Sequence, residues 1–186
     1  MAKHDFSIAP SSVSMKRSTF DMPYNHMTTA NFGDLVPFDC TEVLPGDTWK
    51  ADTRIFARMT TPLFPVMDSA TLNYYYFFVP ARLVWSGFAE FLGENKLSAW
   101  APAADKVLPH AKITSTPGSV ADHFGIPTYD SGTLSTYGLT VAPSLDVQFL
   151  PFRCYQLIWN EWFRSESVTN PILVNTGDTV TSGTKK

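Results

Sequence analysis

The sequence predicts a mainly β protein, a sandwich or barrel of short strands with a few helices let into it. Three observations predict it. Runs of β-branched and aromatic residues are cut repeatedly at Pro37, Pro45-Gly46-Asp47, Pro62, Pro65 and Pro80. The clearest of these runs, residues 48–59, alternates with the period of two that belongs to a half-buried antiparallel strand. Only 17% of the 186 residues are charged while 14% are aromatic, against about 25% charged in an ordinary soluble domain. Much of that apolar surface must be buried, in a core or against partners.

The length suits one domain or one contiguous piece of a larger one. An apolar share of 44% supports a real core and excludes wholesale disorder. The formal charge of −3 argues against a general polyanion binder and leaves local basic patches open. No run reaches the ~18–20 apolar residues of a membrane helix; the best candidate, residues 72–79, ends at Pro80. The first 12 residues lack the apolar stretch of a secretory signal. Cys40 and Cys154 are too few for a disulfide framework, so two reduced, buried thiols in a cytoplasmically made protein are expected.

Residues 1–33 read as an arm, polar at its start, with Lys3, Lys16 and Arg17 against Asp5 over the first 20 positions. The first strand is predicted over 34–42 (DLVPFDCTE), where Pro37 implies an edge or a bulge. Leu44-Pro45-Gly46-Asp47 then places Pro and Gly as a type II turn wants them. In the second strand, 48–59, Trp49, Ala51, Thr53 and Ile55 point one way, and Lys50, Asp52 and Arg54 the other. The third, 71–79 (TLNYYYFFV), is aromatic on both faces; one face can pack on a core, and the other must meet an inserted helix or a neighbouring subunit. Helices are predicted over about 85–92, with Trp85, Phe88, Ala89 and Leu92 at helical spacing, and over 150–164. In the second of these Pro151 suits a first turn, and Phe152, Tyr155, Trp159 and Trp162 recur at spacings of three and four. Residues 110–144 read as a long loop with one apolar nucleus at 120–126, and 179–186 as a flexible tail.

Nothing in the chain points to catalysis. His4, His26, His110 and His123 lie far apart with no ligand pair, and no phosphate-binding or nucleophile-elbow motif occurs. Glu90 and Glu94 share a helix face, which a solvated surface explains better than a glycosidase cleft. Cys154 sits in an aromatic helix, where an inert thiol is expected. No enzyme, cofactor or metal site is therefore expected. Basic residues interleaved with aromatics can hold single-stranded nucleic acid by phosphate contact and base stacking. The candidates are the arm (Lys3, Lys16, Arg17, Phe20) and the pair Arg54 and Arg58, for which a solvated strand face or an intersubunit ion pair is the plainer reading.

A series of strings in fixed order then narrows the field: RSTFDM (17–22), LVPF (35–38), EVLPGDT (42–48), FARM (56–59), TPLFPVMD (61–68), FFVPARLVW (77–85), FLGE (91–94), DHFGIP (122–127), LPFR (150–153) and WNEWFR (159–164). Over roughly residues 16–178 the chain closely resembles the major capsid protein of microviruses, small icosahedral single-stranded DNA bacteriophages, and the gokushovirus branch best. The resemblance implies a viral jelly-roll sandwich, eight strands in two sheets, with helix-bearing insertions. It also implies a structural subunit that self-assembles into an icosahedral shell enclosing single-stranded DNA, made in the bacterial host cytoplasm, in company with other virion proteins and without a membrane. The alternative is a jelly-roll carbohydrate-binding or host-attachment module.

Family members are considerably longer, and the remainder would follow Asp178, along with the host-facing insertion. The fold is thus expected to be incomplete in this chain, with 34–178 the capsid jelly-roll portion. Another polypeptide completes it, or the sequence is partial, or the chain is stable only inside an assembly. Core or subunit-contact anchors are expected at Tyr74, Tyr75, Tyr76, Phe77, Phe78, Trp85, Phe88, Trp159, Trp162 and Phe163, and nucleic-acid contacts at Lys3, Lys16 and Arg17.

Overall fold

The computed structural model describes residues 16–96, 100, 106–128 and 144–179. Its regular elements are α1 (Ala81–Val84), α2 (Phe88–Phe91), β1 (His110–Ile113), α3 (Val120–His123), β2 (Leu145–Gln148) and α4 (Leu150–Ile158), which runs on into a π-helical turn, Trp159–Phe163. Helix is scarce, and the sheet is one antiparallel pair, β1 against β2, with His110 opposite Gln148 and Ile113 opposite Leu145. Lys112 stands across from Asp146, a favourable pairing of opposite signs. The expected loop 110–144 therefore holds a strand and a helical turn. Its apolar nucleus is α3, capped by the Ser119 hydroxyl, which accepts from the Asp122 N–H.

The longest helix begins where the sequence placed it. Pro151 lies in the first turn of α4, where an amide N–H has no intrahelical acceptor and its loss costs nothing. Two faces of α4 are covered. Leu150, Cys154 and Leu157 pack with Val84 and Trp85, joined by Val79, Phe88 and Leu108, to form the core. The Phe152 and Tyr155 rings meet Phe124, and Phe152 stacks on Phe149. A helix apolar on more than one side is one packed between neighbours.

The single helix expected over 85–92 is two one-turn helices. The backbone leaves the helix at Trp85 (φ −150°, ψ 118°), and the Ser86 N–H donates to the carbonyl of Thr176 at 2.9 Å instead of to its own turn. Trp85 is 0% exposed, and its indole Nε1–H donates to Asp178 Oδ1 at 2.8 Å. Burial of that ring and a long-range hydrogen bond outweigh helix propensity, which is worth a few tenths of a kcal/mol per residue. Gly87 fits beneath them because it has no side chain: a Cβ would stand 2.9 Å from Asp178 Oδ1 and 3.0 Å from the indole.

Arg153 joins these parts. It is 1% exposed; Nη1 donates to the Val84 carbonyl at 3.0 Å, and Nη2 to those of Gly177 and Thr179 at 2.9 and 3.2 Å. The chain after α4 turns back at Ser165 and is fastened at four further places. Arg164 Nη1 donates to the Thr169 carbonyl at 2.9 Å. The Asn160 amide both donates to and accepts from the backbone of Ile172, at 2.7 and 2.8 Å. Ser86 meets Thr176, and Trp85 meets Asp178.

Residues 34–42, 48–59 and 71–79 were expected as strands and form none. Among the described residues, no backbone-to-backbone hydrogen bond is made by residues 48–79. A strand exists only beside another strand, and these segments have no neighbour in register. The type II turn between the first two is present: Asp47 N–H donates to the Leu44 carbonyl at 3.1 Å, with Gly46 at φ +88°. The chain exposes 16,481 Å², where a compact monomer of 20.7 kDa would expose about 8,900 Å².

Replacing Arg153 with Leu is expected to lower stability by about 2–4 kcal/mol, since three carbonyls lose a charged donor; Arg153→Lys recovers only part because an ammonium lacks the planar fork. Denaturant midpoints measure both. Gly87→Ala is expected to destabilise by about 1–3 kcal/mol through overpacking against Asp178 and the Trp85 indole.

Candidate assembly interface

The predicted aromatic anchors divide into a sealed group and an open one. Trp85 is fully buried, and Phe88 and Trp159 are partly so. Tyr74, Tyr75, Tyr76, Phe77, Phe78, Trp162 and Phe163 remain exposed, Phe78 at 77% and Trp162 at 72%.

The open group is ordered by the alternation of an extended chain. Tyr75 and Phe77 turn toward the π-helical turn: Tyr75 meets Phe163 edge-on with centroids 5.6 Å apart, and Phe77 meets Trp162 at 5.8 Å and Phe163 at 6.0 Å. Tyr74 and Tyr76 turn the other way. They meet edge-on at 6.0 Å, Tyr76 meets Phe38 at 6.3 Å, and its hydroxyl is bonded to that of Thr53. The two faces of 71–79 thus meet a helix end on one side and the first two expected strands on the other. Neither is closed over. Phe78 has no ring partner among the described residues. The arrangement is a platform of edge-to-face and tilted rings, each pair worth about 0.5–1.5 kcal/mol beyond its buried area.

The polar groups around Trp85 and α4 are structural. Asp178 accepts from Lys106 Nζ at 2.6 Å as well as from Trp85, and these two donors hold its carboxyl below the usual carboxylate range. The same bond to Asp178 holds Lys106 above its usual value, and Lys106 also lies 3.4 Å from Glu90. Burial pushes the Arg153 guanidinium down and Asp178 opposes the change; an arginine stays charged regardless. The Tyr155 hydroxyl donates to the Leu35 carbonyl at 2.9 Å and is kept protonated by burial.

Burial pushes the Cys154 thiol up to about 11, so it carries no thiolate for nucleophilic chemistry. Cys40, expected to be buried, is exposed, because the segment bearing it has no partner strand to cover it. Of the nucleic-acid candidates, Lys16 and Arg17 are exposed and Arg17 Nη1 donates to the Gly46 carbonyl at 2.6 Å. Lys3 lies outside the described residues. No helix among the described residues is long and apolar enough to cross a membrane.

Sequence reasoning missed Arg153, Asp178, Lys106, Asn160 and Gly87. Only Arg153 gave a signal, as a lone charge on a helix apolar nearly all round; the others act through partners far away in the chain.

Against known proteins, the family described as capsid protein (F protein) matches residues 9–186. The chain belongs to that family. It is 38% identical over 181 residues to capsid protein VP1 of Bdellovibrio phage phiMH2K, covering 95% of this chain and 31% of that protein. To capsid protein VP1 of Chlamydia phage 1 it is 36% identical over 185 residues, covering 95% and 28%. To capsid protein VP1 of Spiroplasma virus 4 it is 32% identical over 172 residues, covering 90% and 28%. The resemblance to microvirus capsid proteins read from the ordered strings therefore holds. The chain spans under a third of the length of these curated relatives.

The pH dependence of the Asp178 contact has a definite sign. A carboxyl held below its ordinary value contributes stability that is complete above the ordinary carboxylate range and fades as pH falls through the lowered value. The Trp85 indole N–H resonance should stay slow to exchange through the ordinary carboxylate range and quicken only as pH falls beyond it. Asp178→Ala should show the quickened exchange at neutral pH.

Proposed function

We propose that this chain is a portion of a major capsid protein that associates with further copies into an icosahedral shell around single-stranded DNA, working by burial of apolar surface and carrying out no catalysis. The observation that carries the reading is the open ring platform of Tyr74–Phe78, Trp162 and Phe163, in a chain of the capsid family. Large aromatic side chains left half-exposed in one subunit are the residues enriched at subunit contacts. Each contributes about 1.5–3 kcal/mol when fully buried, and closed symmetry repeats the same contact in every copy.

Residues 34–178 then form part of a jelly-roll sandwich, in which 34–42, 48–59 and 71–79 become paired strands. Helical insertions interrupt it at 81–91 and 150–163, and the loop 110–144 leaves its surface. Residues 1–33 are an interior arm and 179–186 a tail. The protein's place is the virion, after assembly in the host cytoplasm, with other virion proteins as further partners. Lys3, Lys16 and Arg17 face the packaged DNA.

Sedimentation velocity and negative-stain microscopy of the purified chain test this reading. Concentration-dependent growth to pentamer-sized or larger species is expected. Trp162→Ser and Phe78→Ser should each weaken self-association at least 10-fold with circular dichroism unchanged. A monomer that stays soluble at high concentration and binds a saccharide through these rings would favour the carbohydrate-binding or host-attachment reading. Deleting residues 1–15 should leave the fold intact and lower salt-sensitive association with single-stranded DNA.

A further inference from the structure

Residues 17–35, most of which belong to the expected arm, have largely exposed side chains. Yet this stretch is bonded to its own chain at three distant points. Arg17 Nη1 donates to the Gly46 carbonyl at 2.6 Å. The Thr28 hydroxyl shares a hydrogen bond of 2.9 Å with His123 Nδ1, 95 residues further on. The Leu35 carbonyl accepts from the Tyr155 hydroxyl at 2.9 Å. His123 closes α3 and is 5% exposed, so the Thr28 hydroxyl reaches a buried ring.

The second and third of these bonds fall on the two partners of one packing contact. Phe124 follows His123, and its ring meets those of Phe152 and Tyr155 on α4, with centroids 4.9 and 6.3 Å apart. Residues 28–35 therefore start at α3 and end at α4, the two elements that this ring contact joins. What seats the stretch is polar. Its large apolar side chains gain little from the contact: Phe20 and Phe32 are each 80% exposed and Met27 is 97% exposed. Tyr24 and His26 stack on each other and share a 3.3 Å hydrogen bond inside the stretch. One hydrogen bond adds little net stability, and a segment with few buried apolar contacts opens at low cost.

We propose that residues 17–35 are a releasable strap, latched on His123 and Tyr155, which ties α3 to α4 when closed and loosens α3 when it lifts. The two events form one equilibrium. Whatever holds the strap down also steadies α3, and whatever draws the strap away from its own chain weakens the seat of α3 by the same factor. The device goes beyond the capsid reading and does not depend on it.

The test is limited proteolysis of the dilute purified chain with chymotrypsin, read by mass spectrometry, beside hydrogen exchange at the His123 and Phe124 amides, which donate to the Ser119 and Val120 carbonyls. Cleavage follows the open population when opening and closing are fast relative to cutting. Thr28→Val and Tyr155→Phe should each speed cleavage after Tyr24 and Phe32 by about 2- to 10-fold, the worth of one hydrogen bond, and should speed exchange at both α3 amides. Thr28→Ser keeps the hydroxyl and should match the parent. Cleavage after Phe56 and Phe64, which are exposed and lie outside the strap, should stay at the parental rate in all three variants.

Parental cleavage within the strap in both Thr28→Val and Tyr155→Phe would overturn the latch. Faster cleavage there with parental exchange in α3 would overturn the coupling to α3. Equal acceleration after Phe56 and Phe64 would also overturn the proposal, since the chain would then have loosened throughout. Each of these results leaves the capsid reading to the sedimentation experiment.

Discussion

The ordered part of this chain depends on one buried guanidinium. Arg153 serves the carbonyl at the end of α1 and two carbonyls of the returning segment from a single planar group. The Val84 carbonyl is a helix-end acceptor with no partner of its own in the turn, a group that must find a donor when buried. Arginine suits the task because its donors lie in a fixed fork and its charge survives burial. With Arg153 in place, Trp85 is held under α4 and its indole is brought to Asp178. Asp178 in turn draws in Lys106, and the Asn160 amide fastens the segment further along. Without it, α1, α4 and the returning segment would keep a small apolar cluster and the bonds at Ser86, Trp85 and Asn160, but no single group would join all three.

Outside that clasp the chain is built for company. Backbone groups across residues 48–79 have no backbone partners among the described residues, and the rings of 74–78 are ordered against each other yet open to water. In a self-sufficient domain such a state would be an aggregation hazard. In the proposed shell subunit these edges and rings would instead be the surface that neighbours cover.

Local features were legible in the sequence. Pro45-Gly46 specified a turn that the backbone adopts, and Pro151 marked the first turn of α4. Of the alternating set from Trp49 to Ile55, Thr53 bonds to the Tyr76 hydroxyl. The family was legible from ordered strings. What escaped reading was whatever depended on a distant partner. Strand pairing over 34–79 requires neighbours that local pattern cannot supply. The break at Trp85 arises because Thr176 and Asp178, some ninety residues on, take the backbone of Ser86 and the indole. The stripe of Phe152, Tyr155, Trp159 and Trp162 was visible, but the face of α4 that seals Trp85 runs through Leu150, Cys154 and Leu157. That face was hidden by Arg153, a charge that pattern reading assigns to solvent.

The central claim is that a clasped unit around Arg153 is complete in the single chain while residues 48–79 are completed only by association. Hydrogen exchange followed by mass spectrometry, on the dilute chain and on its assembled form, tests it most directly. Amides of α4 and of the segment hydrogen-bonded at Ile172 should be protected in both states, and those of 48–79 should exchange freely in the dilute chain and become protected on assembly. Protection of 48–79 in the dilute chain, equal to that of α4, would contradict the account.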